Sequence, residues 1–212
     1  MMFKLYQSTT LIYGKKFYEI SKNTKECIVN FTIENLVKAP VSMYIHLTGM
    51  YLNHRDLIKS KSFDQLRALD FVNINETCKG ARTMEEMMDF DQSRYINLRN
   101  ETINATSFAR PCGLHAKSIF NDTINLQFNE RNIKISTNDL ANEFDRESLF
   151  KSYSNSTITD WTNTTDERFI VWMQMESWSN FKKLWGRINE DLIPGNYTLK
   201  IINSKIFVYS RL

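Results

Sequence analysis

Between residues 40 and 48 apolar and polar side chains alternate without a break. Val41, Met43, Ile45 and Leu47 fall on one side, and Ser42, Tyr44, His46 and Thr48 on the other. A period of two belongs to an extended chain, so this run predicts a half-buried strand. Residues 27–33 repeat the pattern with Cys27, Val29, Phe31 and Ile33 in phase, and the short link between the two runs predicts antiparallel pairing. In residues 123–128, Ile124, Leu126 and Phe128 share a face. Ile133 and Ile135 resume it after the polar stretch 129–132, which predicts a hairpin. Residues 169–173, 197–202 and 206–209 read as further strands, with Pro194-Gly195 as punctuation before the second.

Helical patterning is more local. Residues 51–69 and 83–90 are rich in helix formers, Asn180 reads as the cap of a short helix through Phe181, Leu184 and Trp185, and residues 140–151 predict another. Residues 152–165 are polar and read as a surface loop. Many strands with short interspersed helices imply an α+β fold, mainly β: an antiparallel β-sandwich core carrying short helical insertions. A chain of 212 residues buries roughly 70% of the surface its unfolded form exposes. One domain over residues 1–212 is therefore the expectation.

Composition narrows the function classes. Hydrophobic residues make up 42% and charged residues 24%, the proportions of a globular chain. A net charge of +3, from 27 basic and 24 acidic residues, is too small to neutralise a run of phosphates, so nucleic acid is not an expected partner. No window approaches the roughly 20 apolar residues needed to cross a bilayer. The N-terminal residues lack the continuous apolar core of a secretory signal.

A second signal points to the secretory route all the same. Asn30, Asn75, Asn100, Asn104, Asn121, Asn155, Asn163 and Asn196 each begin an N-x-T sequon. With 21 Asn and 34 Ser plus Thr in the chain, chance would supply about three. Of three cysteines, Cys78 and Cys112 can be bridged across a polar segment that holds Asn100 and Asn104, leaving Cys27 over as a buried free thiol.

The search for chemistry yields little. Cys112 and His115 have the spacing of a nucleophile and base on one helical face, a reading that needs a free thiolate and vanishes if Cys112 is bridged. His46 and His54 read as ordinary hydrogen-bonding side chains. The carboxylate pairs Glu85-Glu86 and Asp166-Glu167 are adjacent in sequence, and on a strand such neighbours point to opposite faces. There is no glycine-rich phosphate loop and no paired C-x-x-C, so no enzyme activity, cofactor or metal is expected. Trp172, Trp178 and Trp185 read as core residues or as a partner surface.

Three stretches in fixed order carry a resemblance. They are P-V-S-M-Y-I-H-L-T-G-M-Y-L-N-H-R-D-L-I-K-S-K from Pro40, R-P-C-G-L-H-A-K-S-I-F-N-D-T from Arg110, and D-E-R-F-I-V-W-M from Asp166. N-F-K-K-L-W-G-R-I from Asn180 and P-G-N-Y-T-L-K-I from Pro194 follow the last. Together they resemble the family of cell division control protein fifty and ligand-effect modulator three, the beta subunits of type-IV P-type ATPase lipid flippases. The resemblance implies a non-catalytic extracytoplasmic domain between two membrane helices that are absent from this chain. It further implies a P-type ATPase partner, assistance with endoplasmic reticulum exit and the transport cycle, and residence at the plasma membrane, Golgi, endosome or endoplasmic reticulum. Cys112 in P-C-G matches the family's bridged cysteine, with Cys78 where its partner is expected, and Asn121 in F-N-D-T matches a family glycosylation position. The family commonly has more cysteines near the N-terminal strands, where this chain has only Cys27. The alternatives are a secreted carbohydrate-binding or carbohydrate-active sandwich and a free-standing soluble paralogue.

Overall fold

A computed structural model describes residues 2–7, 10–16, 26–69, 73–89, 95–120 and 122–202. The chain divides into two compact units, one from Met1–Met50, Phe120–Leu140 and Asn180–Leu212, the other from Tyr51–Ile119 and Ala141–Ser179.

The first unit is a sandwich of antiparallel sheets, as the alternating runs predict. Its strands are β1 (Met2–Gln7), β2 (Thr10–Lys16), β3 (Glu26–Ile33), β4 (Val41–Thr48), β5 (Thr123–Phe128), β6 (Arg131–Ile133), β7 (Ile135–Ser136), β8 (Asn180–Ile188) and β9 (Gly195–Ile202). One sheet has the order β2-β1-β4-β8-β7 and the other β3-β9-β5-β6. Val41, Met43 and Ile45 of the first join Val29, Phe31 and Leu199 of the second in one buried apolar cluster. The expected hairpin is present, with Leu126 opposite Ile133. Past Lys134 the chain changes sheets, and Ile135 pairs with Ile188.

Two expectations fail here for identifiable reasons. Residues 27–33 and 40–48 do not pair: β3 pairs with β9, and β4 with β1 and β8. Each run has a single apolar face, and the two faces meet across the core from opposite layers rather than side by side. Nor do residues 180–185 form a helix. They begin β8, whose register against β4 slips between Met43 and Tyr44, so that Met43 faces Gly186 while Tyr44 faces Leu184. Trp185 is the extra residue of a β-bulge. Up to the bulge burial alternates as in any strand, with Phe181, Lys183 and Trp185 buried and Leu184 half-buried. The apolar residues fall at the spacing of a helical stripe because the inward position between Phe181 and Trp185 holds a lysine. Gly186 must lack a side chain, because a Cβ there would lie 2.3 Å from Ile135 Cγ2.

The second unit is built from one-turn helices: α1 (Arg55–Lys59), α2 (Phe63–Leu66), α3 (Ile74–Thr77), α4 (Met84–Met87), α5 (Leu114–Lys117) and α6 (Ser156–Thr159). The longer α7 (Glu167–Met173) joins them. The predicted helix over 51–69 is thus two short ones. Ser60 ends the first, its amide donating to the Asp56 carbonyl, and Ser62 caps the second, accepting from the Gln65 amide at 3.2 Å. Thr83 caps α4 in the same way. Residues 145–149 make a π-helical turn within the predicted 140–151 segment. Residues 152–165 are exposed or half-buried except for Asp160 and Thr164, which are buried, and they contain α6.

Residues 169–173 form the end of α7 and not the expected strand. Phe169, Ile170, Val171, Trp172 and Met173 are all buried. A segment covered on every side shows no period to read, and its aromatic and β-branched residues favour a strand. The helix begins because Asp166 accepts from the Arg168 amide at 2.8 Å. The expected strand at 206–209 lies outside the described residues.

Candidate interaction surface and modification sites

Cys78 and Cys112 are joined by a disulfide across 34 positions, and both are buried. The chain on the Cys112 side is pinned from several directions. Gln65, itself buried, accepts from the Cys112 amide through Oε1 at 2.7 Å and donates to the Ala109 carbonyl through Nε2 at 2.9 Å. The Ser60 hydroxyl accepts from the Leu114 amide at 3.0 Å and donates to the Lys79 carbonyl at 2.8 Å. Trp161 donates its indole N–H to the Pro111 carbonyl at 2.7 Å, and the Arg110 guanidinium lies 4.4 Å over the Tyr153 ring. Buried polar groups that are fully bonded specify a geometry. The signal for Gln65 and Ser60 is weak in sequence, because neither belongs to a motif.

With Cys112 in a disulfide there is no thiolate for His115 to activate. His115 is instead a structural residue, fully buried, its Nε2 bonded to the Trp172 carbonyl at 3.2 Å. His54 caps α1, accepting from the Asp56 amide at 3.3 Å, and His46 bonds Asn180. The carboxylate pairs are likewise engaged locally. Partial burial works to raise the pKa of the Glu86 carboxyl, but the Arg82 amide and guanidinium outweigh it and hold the group below its ordinary value. Glu167 accepts from the Ala141 amide at 2.8 Å and from Arg146 at 3.3 Å. Among the described residues, no three of His, Cys, Asp and Glu gather where they could hold a metal ion. Cys27 is a free thiol against the sandwich core, and burial raises its pKa.

The three tryptophans separate. Trp172 is buried and donates to the Ser118 hydroxyl at 3.1 Å, while Trp185 packs edge-on against Phe120 with centroids 5.2 Å apart. Trp178 is 78% exposed. Its loop is tied down by Asn53, which donates to the Ser177 carbonyl at 2.9 Å, and by Gln174, which donates to Asp145 at 3.1 Å. Tyr51, two residues before Asn53, Phe144, next to Asp145, and Met175, next to Gln174, are exposed as well. A tethered loop bearing large apolar side chains in solvent is the surface of this unit best fitted to a partner.

Of the sequon asparagines, Asn30, Asn75, Asn100, Asn104, Asn155, Asn163 and Asn196 are exposed. Asn121 lies outside the described residues. In two exposed sequons the threonine folds back on its own asparagine: Thr106 Oγ1 donates to Asn104 Oδ1 at 3.0 Å, and Thr165 Oγ1 to Asn163 Oδ1 at 2.8 Å.

Asp160 was not legible as special. It is 2% exposed, and loss of solvent pushes its carboxyl above the ordinary carboxylate range. The Thr159 hydroxyl, donating at 2.7 Å, and the Arg110 charge only partly offset this. The folded chain therefore holds this proton more tightly than the unfolded chain. Stability from this group falls as pH rises from about 4, the unfolded value, through the raised folded value. Asp160→Asn keeps an acceptor for Thr159. It is expected to raise the melting temperature at neutral pH and to flatten its dependence on acidification relative to the wild type. Melting both proteins from pH 4 to 7 checks this, and parallel curves would remove Asp160 from the account.

A model of the LEM3 (ligand-effect modulator 3) family / CDC50 family matches residues 5–208. Putative ALA-interacting subunit 2 of Arabidopsis thaliana is 30% identical over 185 residues, covering 81% of this chain and 48% of that protein. ALA-interacting subunit 3 of the same plant is 27% identical over 210 residues, covering 93% of this chain and 54% of that protein. The phospholipid-transporting ATPase accessory subunit CRF1 of Saccharomyces cerevisiae is 26% identical over 184 residues, covering 74% of this chain and 41% of that protein. The chain spans about half the length of the plant relatives.

Proposed function

The chain belongs to the LEM3/CDC50 family, and from that premise we propose that it is the extracytoplasmic domain of a non-catalytic accessory subunit of a phospholipid flippase. The observation that carries the reading is the family match across residues 5–208. A relative in yeast is a phospholipid-transporting ATPase accessory subunit by name. The disulfide and the exposed sequons support an oxidising, glycosylating compartment. The catalytic partner is a type-IV P-type ATPase, which the subunit escorts out of the endoplasmic reticulum and supports through its transport cycle. Among the described residues no helix is long and apolar enough to cross a membrane; two membrane helices that anchor the domain are part of the proposal.

Within the domain, the partner contact is assigned to the Trp178 loop with Tyr51. Tethering by membrane helices raises the effective concentration of the domain beside the ATPase, so this contact need not be strong alone. Affinity purification of the tagged full-length protein from its own cells is expected to recover a P-type ATPase. Recovery of folded subunit without one overturns the reading. The double variant Tyr51→Ala/Trp178→Ala is expected to weaken the complex on the order of tenfold, as loss of an exposed aromatic anchor does. Unchanged recovery with a folded variant would move the contact elsewhere.

A further inference from the structure

We propose that Asn30 receives a glycan while the chain is being made and that Asn196 of the same molecule is largely passed over, because pairing of their strands makes the two sequons lock each other. The proposal rests on the extracytoplasmic reading above. Its origin is the register of β3 against β9, which sets Asn30 opposite Thr198 and Thr32 opposite Asn196. Thr198 Oγ1 donates to Asn30 Oδ1 at 2.9 Å, and Thr32 Oγ1 donates to Asn196 Oδ1 at 2.7 Å. Each sequon's hydroxyl is thus held by the other sequon's asparagine. The middle residues, Phe31 and Tyr197, turn to the opposite face, where both are buried and their rings stack with centroids 5.7 Å apart.

Glycan transfer joins asparagine Nδ2 to the anomeric carbon of an oligosaccharide carried on a lipid pyrophosphate, breaking the sugar–phosphate bond and releasing the lipid pyrophosphate and a proton from Nδ2. It reads the hydroxyl two residues on, so the tripeptide must be free to enter the transferase. In the paired strands neither tripeptide is free: backbone, middle side chain and hydroxyl are all engaged. Asn104 and Asn163 are the contrast, since each sequon closes on itself in an exposed loop. Both locked asparagines use Oδ1 in the cross-strand bond. A sugar already on Nδ2 of Asn30 therefore leaves that bond intact and lets β9 dock.

Chain order breaks the symmetry between the two sites. Thr198 follows Asn30 by 168 positions, which at 5–20 residues per second is roughly 8–34 s of synthesis. Throughout that interval the Asn30 sequon has no β9 to pair with. When Asn196 emerges, both neighbours of β9 already exist, since β9 lies between β3 and β5. Antiparallel pairing of this kind completes in roughly milliseconds to seconds. The window for Asn196 is shorter than that for Asn30 by about an order of magnitude or more.

The test is site occupancy, measured by mass spectrometry of whole-cell full-length protein from a eukaryotic secretory host after amidase digestion in heavy-oxygen water. Asn30 is expected to be occupied in most molecules, and Asn196 at least fivefold less often. Val29→Asp places a charge on the core face of β3, opposite Leu199, and delays or prevents docking of β9. Occupancy of Asn196 should then rise severalfold although its distance from the chain end is unchanged. Equal occupancy at the two sites in the wild type, or an Asn196 level indifferent to Val29→Asp, overturns the proposal while leaving the extracytoplasmic reading standing. Absence of glycan at every sequon, Asn104 and Asn163 included, overturns both.

Discussion

Cells making the full-length protein with Cys78→Ala and Cys112→Ala together should retain it in the endoplasmic reticulum, because the pair supplies a large share of the stability. Closing a loop of 34 positions removes denatured-state entropy equivalent to about 4 kcal/mol in the chain-entropy model. Whole domains hold only about 5–15 kcal/mol. The enclosed segment contains the one-turn helix α4 and isolated bridges such as Thr83 with Phe108 and Ile96 with Thr102. Such elements cannot stand without closure, since isolated short helices are marginal in water. Replacing both cysteines avoids a stray reactive thiol. Thermal melting of the purified full-length variant and its rate of exit from the endoplasmic reticulum are the measurements. A variant that melts within a few degrees of the wild type and exits normally would show that packing alone holds this segment.

Gly113→Ala should be nearly as damaging, with a loss of at least about 3 kcal/mol. Gly113 has φ +107 and ψ 155, a conformation essentially reserved for glycine, and a Cβ built there lies 2.1 Å from the Ser60 carbonyl oxygen. The obstacle is backbone, so it cannot be relieved by a rotamer change. Movement of either strand of chain would break the Gln65 bond to Cys112 or the Ser60 bond to Leu114. Gly49 provides the comparison. It has φ +75 but nothing within 4 Å of a Cβ, so Gly49→Ala should cost only about 1–2 kcal/mol, the conformational part alone. Chemical denaturation of the full-length variants in detergent compares the two. Equal losses would mean that the close approach of Ser60 contributes nothing.

Legibility in this chain follows exposure to solvent. The run at 40–48 was readable because one face of β4 meets the core and the other does not, so burial alternates as the residues do. The hairpin of β5 and β6 was readable for the same reason, with the polar stretch 129–132 containing its turn, Asn129-Glu130, and the first two residues of β6. Residues 169–173 gave no such contrast, being buried throughout, and only the Asp166 cap distinguished helix from strand. Residues 180–185 misled because a lysine, Lys183, takes the buried position between Phe181 and Trp185 while Leu184 takes the half-buried face, so hydrophobicity does not follow burial. The tryptophans could not be sorted by type, since an indole suits a core as well as a surface; Trp172 and Trp185 are buried and Trp178 is exposed.

What the sequence determined by itself was therefore local or recognisable by order: alternating strands, sequon tripeptides, and motif blocks sufficient to identify the family. These need only neighbours along the chain. Tertiary structure decided which strands meet, placing β3 beside β9 and not beside β4. It also decided that two sequons 166 residues apart by their numbers, Asn30 and Asn196, would hold each other's threonines. Partner choice depends on long-range packing of faces that look alike in one dimension. A strand with one apolar side states that it has a core to cover, and only the assembled layers determine from which side it does so.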